Sequence, residues 1–208
     1  YKRPPLDLPP ARMLRTRDYW LCMASVALAA PAVLLFSPVI VSLGQQRGLS
    51  EGAAHLCVAV GSLGSAAGRL LMPLASDRFG RRRTDILLLW GLCGLSAAFA
   101  FARGGWVVAC YSALTFCYSG EAALLPALCT DRFGLPHAGV NYGFLALGMS
   151  AGSLGFPWLA RLWGLEDGRH WLAAGAAALG ALCLTALPET LPQPGRPAAK
   201  KAEGPGRR

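Results

Sequence analysis

The sequence feature that most constrains this chain is a cluster of four arginines between two long apolar runs. The segment 68–83 leaves one apolar run, passes Asp77 and Gly80, and ends in three consecutive arginines. Basic residues that follow one hydrophobic helix and precede another are typical of a cytoplasmic hairpin loop between two membrane spans. Gly80 supplies the backbone freedom that a sharp reversal needs. The chain is therefore predicted to cross a membrane on both sides of this loop.

The composition supports a membrane protein. Charged residues make up 15% of the chain and hydrophobic residues 54%, yet the net charge is +9. A soluble domain is about one-quarter charged. The basic residues stand between long uncharged runs and do not form a stripe interleaved with aromatics, so no nucleic-acid partner is predicted.

The cysteines and histidines do not indicate a metal or cofactor. Six of the seven cysteines fall within apolar runs, and no C-x-x-C pair is present. Such cysteines behave as small membrane-embedded hydrophobes. The three histidines share no helix face, so no metal site and no cofactor are predicted.

The order of apolar runs predicts an all-α integral membrane protein. Residues 1–18 are proline-rich and basic, as in a solvated cytoplasmic linker, and residues 188–208 have the composition of a disordered basic tail. Residues 19–187 hold six runs, each long enough for a span at roughly 20 residues per crossing. The predicted spans are 19–46, 53–75, 85–102, 106–128, 139–162 and 170–187.

The basic residues predict the orientation. With six spans, 15 of the 20 lysines and arginines lie on the side of the arginine loop and four on the other, while Arg69 lies within a span. This bias predicts that both termini are cytoplasmic and that the chain is a multi-pass protein of the plasma membrane. The chain starts at Tyr1 without an initiator methionine, so we expect a fragment or the second part of a longer polypeptide.

The loop Ser76-Asp77-Arg78-Phe79-Gly80-Arg81-Arg82 resembles the signature of the major facilitator superfamily. That family repeats a six-helix unit twice, with a long cytoplasmic linker between the halves. The linker-like start and the ending Leu187-Pro-Glu-Thr190 resemble the C-terminal half. The resemblance implies that an N-terminal six-helix half is the partner of this chain.

Within that family, two motifs resemble the oxalate/formate antiporter and monocarboxylate branch. They are Gly68-Arg69 before the loop and the run from Phe133 to Gly143 after the fourth span. The sequence differs from the family pattern in two respects. Pro73 replaces the usual glycine of the loop motif, and residues 139–160 lack the second basic residue of oxalate-type members, which argues against a dicarboxylate substrate.

Arg69 and Glu121 are ionisable residues within predicted spans, where charge is expensive and usually functional. Both lie roughly 10 Å from the cytoplasmic end at the rise of a helix, which invites pairing. Ser62 and Ser65 continue a polar stripe from Arg69 on the second span. Tyr111 and Tyr118 continue one from Glu121 on the fourth.

The family resemblance implies that Arg69 binds a substrate carboxylate, for which a guanidinium fork is well shaped. The alternative is an arginine that snorkels to the interface. Glu121 is either a proton-coupling or counter-ion residue or a structural partner of the other half. The candidate substrate-binding residues are Arg69, Glu121, Ser65, Tyr111 and Tyr118.

A second candidate set lies on the cytoplasmic face. In the family, such charges form pairs that hold a gate closed and break during transport. The alternative is a group of solvent-screened charges that contribute little. The candidate gate residues are Asp77, Arg78, Gly80, Arg81, Arg82, Asp131 and Glu189.

Two G-x-x-x-G pairs permit close helix contacts, Gly64 with Gly68 and Gly148 with Gly152. Their helices face the other half in the family, and packing within this half is the alternative.

The sequence thus predicts the C-terminal half of a secondary transporter for a small organic anion such as a monocarboxylate. One alternative is a family transporter for a drug or sugar, and another is a membrane-embedded interaction subunit. An enzyme is not predicted, because no convergent set of His, Asp, Glu and Ser is present.

Overall fold

The computed structural model describes residues 8–165 and 168–188. Within these residues every regular element is a helix, and no strand is present. A short 3-10 turn, Ser37–Val39, separates the third and fourth helices. The helices are α1 (Pro10–Met13), α2 (Arg17–Ala29), α3 (Pro31–Leu34), α4 (Ile40–Gln46), α5 (Glu51–Phe79), α6 (Arg81–Phe99), α7 (Gly105–Phe133), α8 (Ala138–Leu162) and α9 (Arg169–Thr185).

Two prolines break the first apolar run into pieces. α2 ends before Pro31, and Pro38 lies in the 3-10 turn that precedes α4. Proline lacks an N–H donor and clashes with the preceding turn, so a continuous helix cannot pass through it undisturbed. The run remains long and apolar enough to cross a membrane as one broken helix over Arg17–Gln46.

Four segments of the described chain are long and apolar enough to cross a membrane: Arg17–Gln46, α5, α7 and α8. The two other predicted spans are helical but differ from these four. α6 starts with three arginines and carries Asp85, which lowers its mean hydropathy, and α9 has 17 residues. The all-helical membrane class is thus supported, while the count of six spans stays a prediction.

The arginine loop is much shorter than the sequence predicts. α5 continues through Phe79 and α6 starts at Arg81, so Gly80 alone joins them, with a φ of +90°. That φ lies in a region that side chains other than glycine rarely adopt. The extended helices present the arginines on ordered helical turns, because helices are free to continue beyond the apolar layer.

The helices pack as a bundle, with α5 against α7, α6 against α7 and α9, and α2 against α8 and α9. The pairs α5–α7 and α2–α8 run parallel, whereas α6 runs antiparallel to α7. We call the end that contains Gly80 the arginine end, and the other the opposite end. Both G-x-x-x-G pairs make contacts within this chain. A Cβ on Gly64 would lie 2.5 Å from the carbonyl oxygen of Ser112 on α7, and one on Gly148 would lie 2.6 Å from that of Met23 on α2.

Both ends of the described chain lie at the arginine end. The Leu8 amide donates to the carbonyl of Phe133, the last residue of α7. Arg132 contacts the Asp18 carboxylate at 3.4 Å and donates to the Pro188 carbonyl at 2.6 Å. Of the predicted linker, residues 8–18 are described, and they include α1 and the buried Met13. Residues 1–7 and the tail from 189 onward lie outside the described residues.

Candidate functional site

Arg69 lies on the polar face of α5. At about 100° per residue, Ser62, Ser65 and Arg69 fall on one side of this helix. Arg69 and Ser62 are exposed, and Ser65 is half-buried. Among the described residues, Arg69 has no hydrogen bond or salt bridge. This face therefore presents an unneutralised guanidinium inside a helix that can cross a membrane.

Two other faces of α5 have different partners. Leu63, Leu70 and Leu74 are 65–70% exposed and form an apolar face beside the polar one. Gly61, Gly64 and other small residues face α7, where the backbones approach closely. The polar face is thus separate both from the α7 contact and from a leucine face that suits lipid.

Polar side chains of α7 take part in the contact with α5. Thr115 donates to the Gly61 carbonyl at 2.8 Å, and Ser112 donates to that of Val60 at 3.1 Å. The Ser65 and Ser119 hydroxyls are 2.6 Å apart. Ser65, a candidate substrate residue, therefore bridges the two helices at the margin of the polar face.

The two candidate tyrosines have different surroundings. Tyr111 is buried, and its ring fills the space beside Gly61, where a Cβ would lie 2.7 Å from Cε1. It packs between α5 and α7 and does not line an open surface. Tyr118 is half-buried, and its hydroxyl experiences the charges of both Glu121 and Arg69. Of the two, Tyr118 lies on the side of Arg69.

Glu121 and Arg69 do not form the expected ion pair. The Glu121 side chain is 1% exposed, and neither carboxylate oxygen has a hydrogen-bond partner among the described residues. The charge of Asp85 on α6 acts on the Glu121 carboxyl group. Arg69 points from the exposed side of α5, so the two residues share a depth but not a direction.

Three charges meet at the arginine end. Arg81 Nε lies 2.7 Å from Asp131 Oδ2, and its Nη2 lies 3.5 Å from Asp77 Oδ1. Arg81 thereby joins the end of α5 and the start of α6 to the end of α7. The three side chains are 32–61% exposed, so each contact is solvent-screened.

The other gate candidates are placed separately. Arg82 donates to the carbonyls of Leu184 and Thr185, at 3.0 and 2.8 Å, and so holds the end of α9. Its guanidinium also complements the carbonyl end of the α9 dipole. Arg78 is exposed, and Gly80 forms the link between α5 and α6. Glu189 lies outside the described residues.

Sequence reasoning missed three buried or half-buried charges. Asp85 is 2% exposed and Arg132 is 4% exposed, and Arg132 contacts Asp18. Asp85 stands at the edge of the third apolar run, where it reads as a boundary residue. In the structure α6 starts at Arg81, four residues before Asp85, so Asp85 lies one turn inside the helix. No cluster of three or more potential metal ligands occurs in residues 8–165 and 168–188.

The chain is similar to known membrane transporters. The family model of the Major Facilitator Superfamily matches residues 21–207. A search of curated proteins finds 27% identity over 155 residues with the uncharacterized MFS-type transporter YhjX of Escherichia coli (strain K12), covering 69% of this chain and 37% of that protein. It also finds 28% identity over 142 residues with the oxalate:formate antiporter of Oxalobacter formigenes, covering 66% of this chain and 34% of that protein.

This chain spans about a third of the length of these two relatives, whose names describe transporters. The family model matches most of the sequence, and the helices that the structure describes agree with a multi-pass membrane protein. The chain belongs to the Major Facilitator Superfamily.

Proposed function

We propose that this chain is the C-terminal six-helix half of a secondary transporter that moves a small organic anion by alternating access. The observation that carries the proposal is Arg69, an exposed guanidinium on the polar face of a spanning helix with no carboxylate bound to it among the described residues. A charge inside a membrane is expensive, and it is retained where a ligand or water reaches it.

The chemistry of Arg69 selects the substrate class. A guanidinium presents a planar fork of N–H donors that matches a carboxylate. The polar face offers this one cation, with hydroxyl groups from Ser65 and Tyr118 nearby. One fork suits a monocarboxylate. The antiporter relative, whose name specifies oxalate and formate, supports small carboxylates as the class.

The second wall of the site is proposed to come from an N-terminal six-helix half. The polar face of α5 is open in this chain, so a substrate held by Arg69 alone would remain in contact with solvent. In transporters built from repeats, the substrate site lies between the two halves near the middle of the bilayer. The aligned part of this chain covers 37% and 34% of the two relatives, so each relative has enough further sequence for a second six-helix half.

The proposed orientation places the arginine end in the cytoplasm, at the plasma membrane. Both described ends of the chain contact the last residues of α7, Leu8 at Phe133 and Pro188 at Arg132, beside Asp131 of the Asp77–Arg81–Asp131 cluster, which suits an even number of spans. The excess of basic residues there follows the positive-inside rule. In this account Arg81 is part of a cytoplasmic gate, since it ties α5, α6 and α7 together at the surface.

The substrate class is tested by uptake into proteoliposomes that contain the complete transporter, with this half joined to its proposed partner. We expect saturable uptake of labelled formate, acetate or lactate, and competition among them. A labelled sugar and a lipophilic cation serve as controls and should not enter or compete. Saturable transport of the sugar or the cation, with no uptake of any carboxylate, would contradict the proposal and favour a different substrate class.

A further inference from the structure

A cleft of about 370 Å³ lies at the opposite end of the bundle, where the link between α4 and α5 meets the end of α6 and the start of α9. Two arginines, an amide and an imidazole supply its polar lining: Arg47, Arg169, Gln46 and His170. Arg69 is far from this cleft, because it follows the first residue of α5 by 18 residues, about 27 Å of helix. The cleft is therefore separate from the proposed substrate site.

The Arg47 guanidinium is held in place at this cleft. Its Nη1 donates to the carbonyls of Phe99 and Ala102, and its Nη2 lies 2.8 Å from Nε2 of His170. An arginine only donates, so Nε2 of His170 is the acceptor in this contact. The His170 ring packs against Phe36 and Phe99, whose ring centres lie 5.0 and 5.7 Å away. The guanidinium thus has a fixed position before any ligand arrives.

This guanidinium has further donors available. Of its five N–H groups, three are used by the two carbonyls and the imidazole. The Nε–H group and one Nη2–H group have no acceptor in residues 8–165 and 168–188. Arg47 is half-buried, so water solvates these donors only in part. Donors of a partly buried cation that lack a protein acceptor suit an anionic ligand.

Positive charge accumulates around Arg47. Burial lowers the pKa of Arg47, and the charges of Arg103 and Arg169 lower it further. In the described part of the chain, neither Arg47 nor Arg103 has a salt bridge, and the exposed Glu51 forms none. The acidic residues 166–167, in the link before α9, lie outside the described residues. A cleft lined by one sign of charge concentrates counter-ions, so the described groups favour an anion here.

We infer that this cleft is a second anion-binding site, in which Arg47 binds the carboxylate of a small organic acid. The carboxylate oxygens accept from the available Nε–H and Nη2–H groups, and Arg169 adds a second positive charge to the lining. Phe101 and Trp171, whose rings pack edge to face, give the alkyl part of the acid an apolar surface.

The inferred role of this site rests on the proposed function and orientation. With the arginine end in the cytoplasm, the cleft lies at the external face of the membrane. A small carboxylate is the anion class that the proposed transporter carries to or from that face. Binding at Arg47 raises the local concentration of this anion outside the spanning part of α5, before it reaches Arg69 or after it leaves.

Fluorine NMR of trifluoroacetate, a small fluorinated carboxylate, tests the site in the full-length protein in phosphatidylcholine nanodiscs. Every sample carries Arg69→Ala, which removes the proposed substrate site. We expect saturable line broadening of the trifluoroacetate signal that unlabelled formate reverses. Adding Arg47→Gln should weaken trifluoroacetate binding about tenfold, because charge-assisted hydrogen bonds are lost.

A second variant and a control accompany Arg47→Gln. Arg169→Gln removes the other cation of the lining and should also weaken binding, and it decides the test if Arg47→Gln shows no thermal unfolding transition. Arg161→Gln, at an exposed arginine near the end of α8 that does not line the cleft, is the matched control and should bind normally.

Equal broadening with and without the cleft variants would overturn the inference, as would absence of binding in the Arg69→Ala protein. Binding in dodecyl maltoside, which has no phosphate, that is lost in phosphatidylcholine nanodiscs would also overturn it, in favour of a lipid headgroup in the cleft. Because Arg69 is absent throughout and no transport is measured, the result is independent of whether carboxylates are transported.

Discussion

At the opposite end of the bundle, the Arg47 guanidinium contacts groups from two other helices. It donates to the carbonyls of Phe99 and Ala102, the latter at 3.3 Å, and its Nη2 lies 2.8 Å from Nε2 of His170. The guanidinium carbon is also 5.0 Å from the centre of the Phe99 ring. The residue thereby ties the link between α4 and α5 to the end of α6 and the start of α9. Burial lowers the pKa of Arg47, with Arg103 and Arg169 adding to the effect.

The first prediction concerns this arginine. Arg47→Ala removes the donors to two helix-end carbonyls, so it should lower the free energy of unfolding by about 1–3 kcal/mol. The measurement is the thermal unfolding midpoint of the purified protein in detergent. Arg103→Ala, at an exposed neighbouring arginine, is the control and should shift the midpoint little. An unchanged midpoint in Arg47→Ala would show that these contacts contribute no net stability.

At the scale of single residues, the sequence identified the expensive charges but not their partners. Arg69 and Glu121 were found because each interrupts an apolar run. Their depths match, yet Glu121 lies towards Asp85 and Arg69 lies on the exposed side of α5. Depth follows from counting residues along one helix. Direction depends on how α5, α6 and α7 are rotated against one another, which only the packed structure provides.

The contact between α5 and α7 depends on small residues. Gly61, Gly64 and Gly68 let the two helices approach until the side chain and backbone of α7 occupy the positions of the missing Cβ atoms. For Gly68, that neighbour is the Phe116 carbonyl, a backbone group that cannot rotate away. From the sequence alone, Gly64 and Gly68 could contact either the proposed N-terminal half or another helix of this chain. Here the contact lies within the chain.

The second prediction follows from this geometry. Gly64→Ala would place a methyl group 2.5 Å from the Ser112 carbonyl oxygen, so the helices must separate. We expect destabilisation of about 1–3 kcal/mol, typical of overpacking. Gly94→Ala, on α6, is the matched control, because a Cβ there meets nothing within 4 Å. Equal unfolding midpoints for the two variants would contradict the close contact.

The third prediction concerns the ion cluster that joins α5, α6 and α7. Arg81 is closer to Asp131 than to Asp77, so Asp131→Asn should weaken the cluster more than Asp77→Asn. Each pair is exposed, and the expected loss of stability is only about 0–1 kcal/mol. The expected functional effect is larger: more labelling, from the cytoplasmic side, of cysteines placed on the polar face of α5, and slower turnover.

Accessibility and turnover are measured in the complete transporter, with each variant in a background that lacks the seven native cysteines. Arg78→Gln, at an exposed arginine of the same region that forms no contact with Asp131, is the control. If Asp131→Asn leaves both quantities unchanged, the cluster is a set of solvated charges rather than part of a gate.

At the scale of elements, the apolar runs predicted where the helices lie, but they did not predict the residues at which the helices start and end. The runs around 53–75 and 106–128 are parts of α5 and α7, each of which has 29 residues. Charged residues such as Asp77 and Arg132 marked the edges of the predicted spans but continue the same helices. Hydropathy reports where the apolar layer ends, whereas the helix ends where its backbone hydrogen bonds stop. At Gly80 and Gly134, positive φ angles provide that stop.

For the whole molecule, the positive-inside bias predicts the side of the membrane on which each end lies. In the cysteine-free background, Arg103→Cys should react with an impermeant reagent added outside, and Arg78→Cys should not. Both side chains are exposed, so a difference in labelling reports orientation rather than burial. Labelling of Arg78→Cys from outside in intact cells, with none at Arg103→Cys, would invert the proposed orientation.

The central claim is that Arg69 binds the substrate carboxylate, and its most direct test compares lysine with alanine at this position. A lysine keeps the positive charge but loses the bidentate fork, so Arg69→Lys should lose nearly as much carboxylate uptake as Arg69→Ala. Arg161→Lys, at an exposed arginine near the end of α8, is the matched control and should transport normally. Uptake by the complete transporter is normalised to the protein in the membrane. Full carboxylate uptake by Arg69→Lys would contradict the claim, because a lysine that snorkels to the interface would then be sufficient.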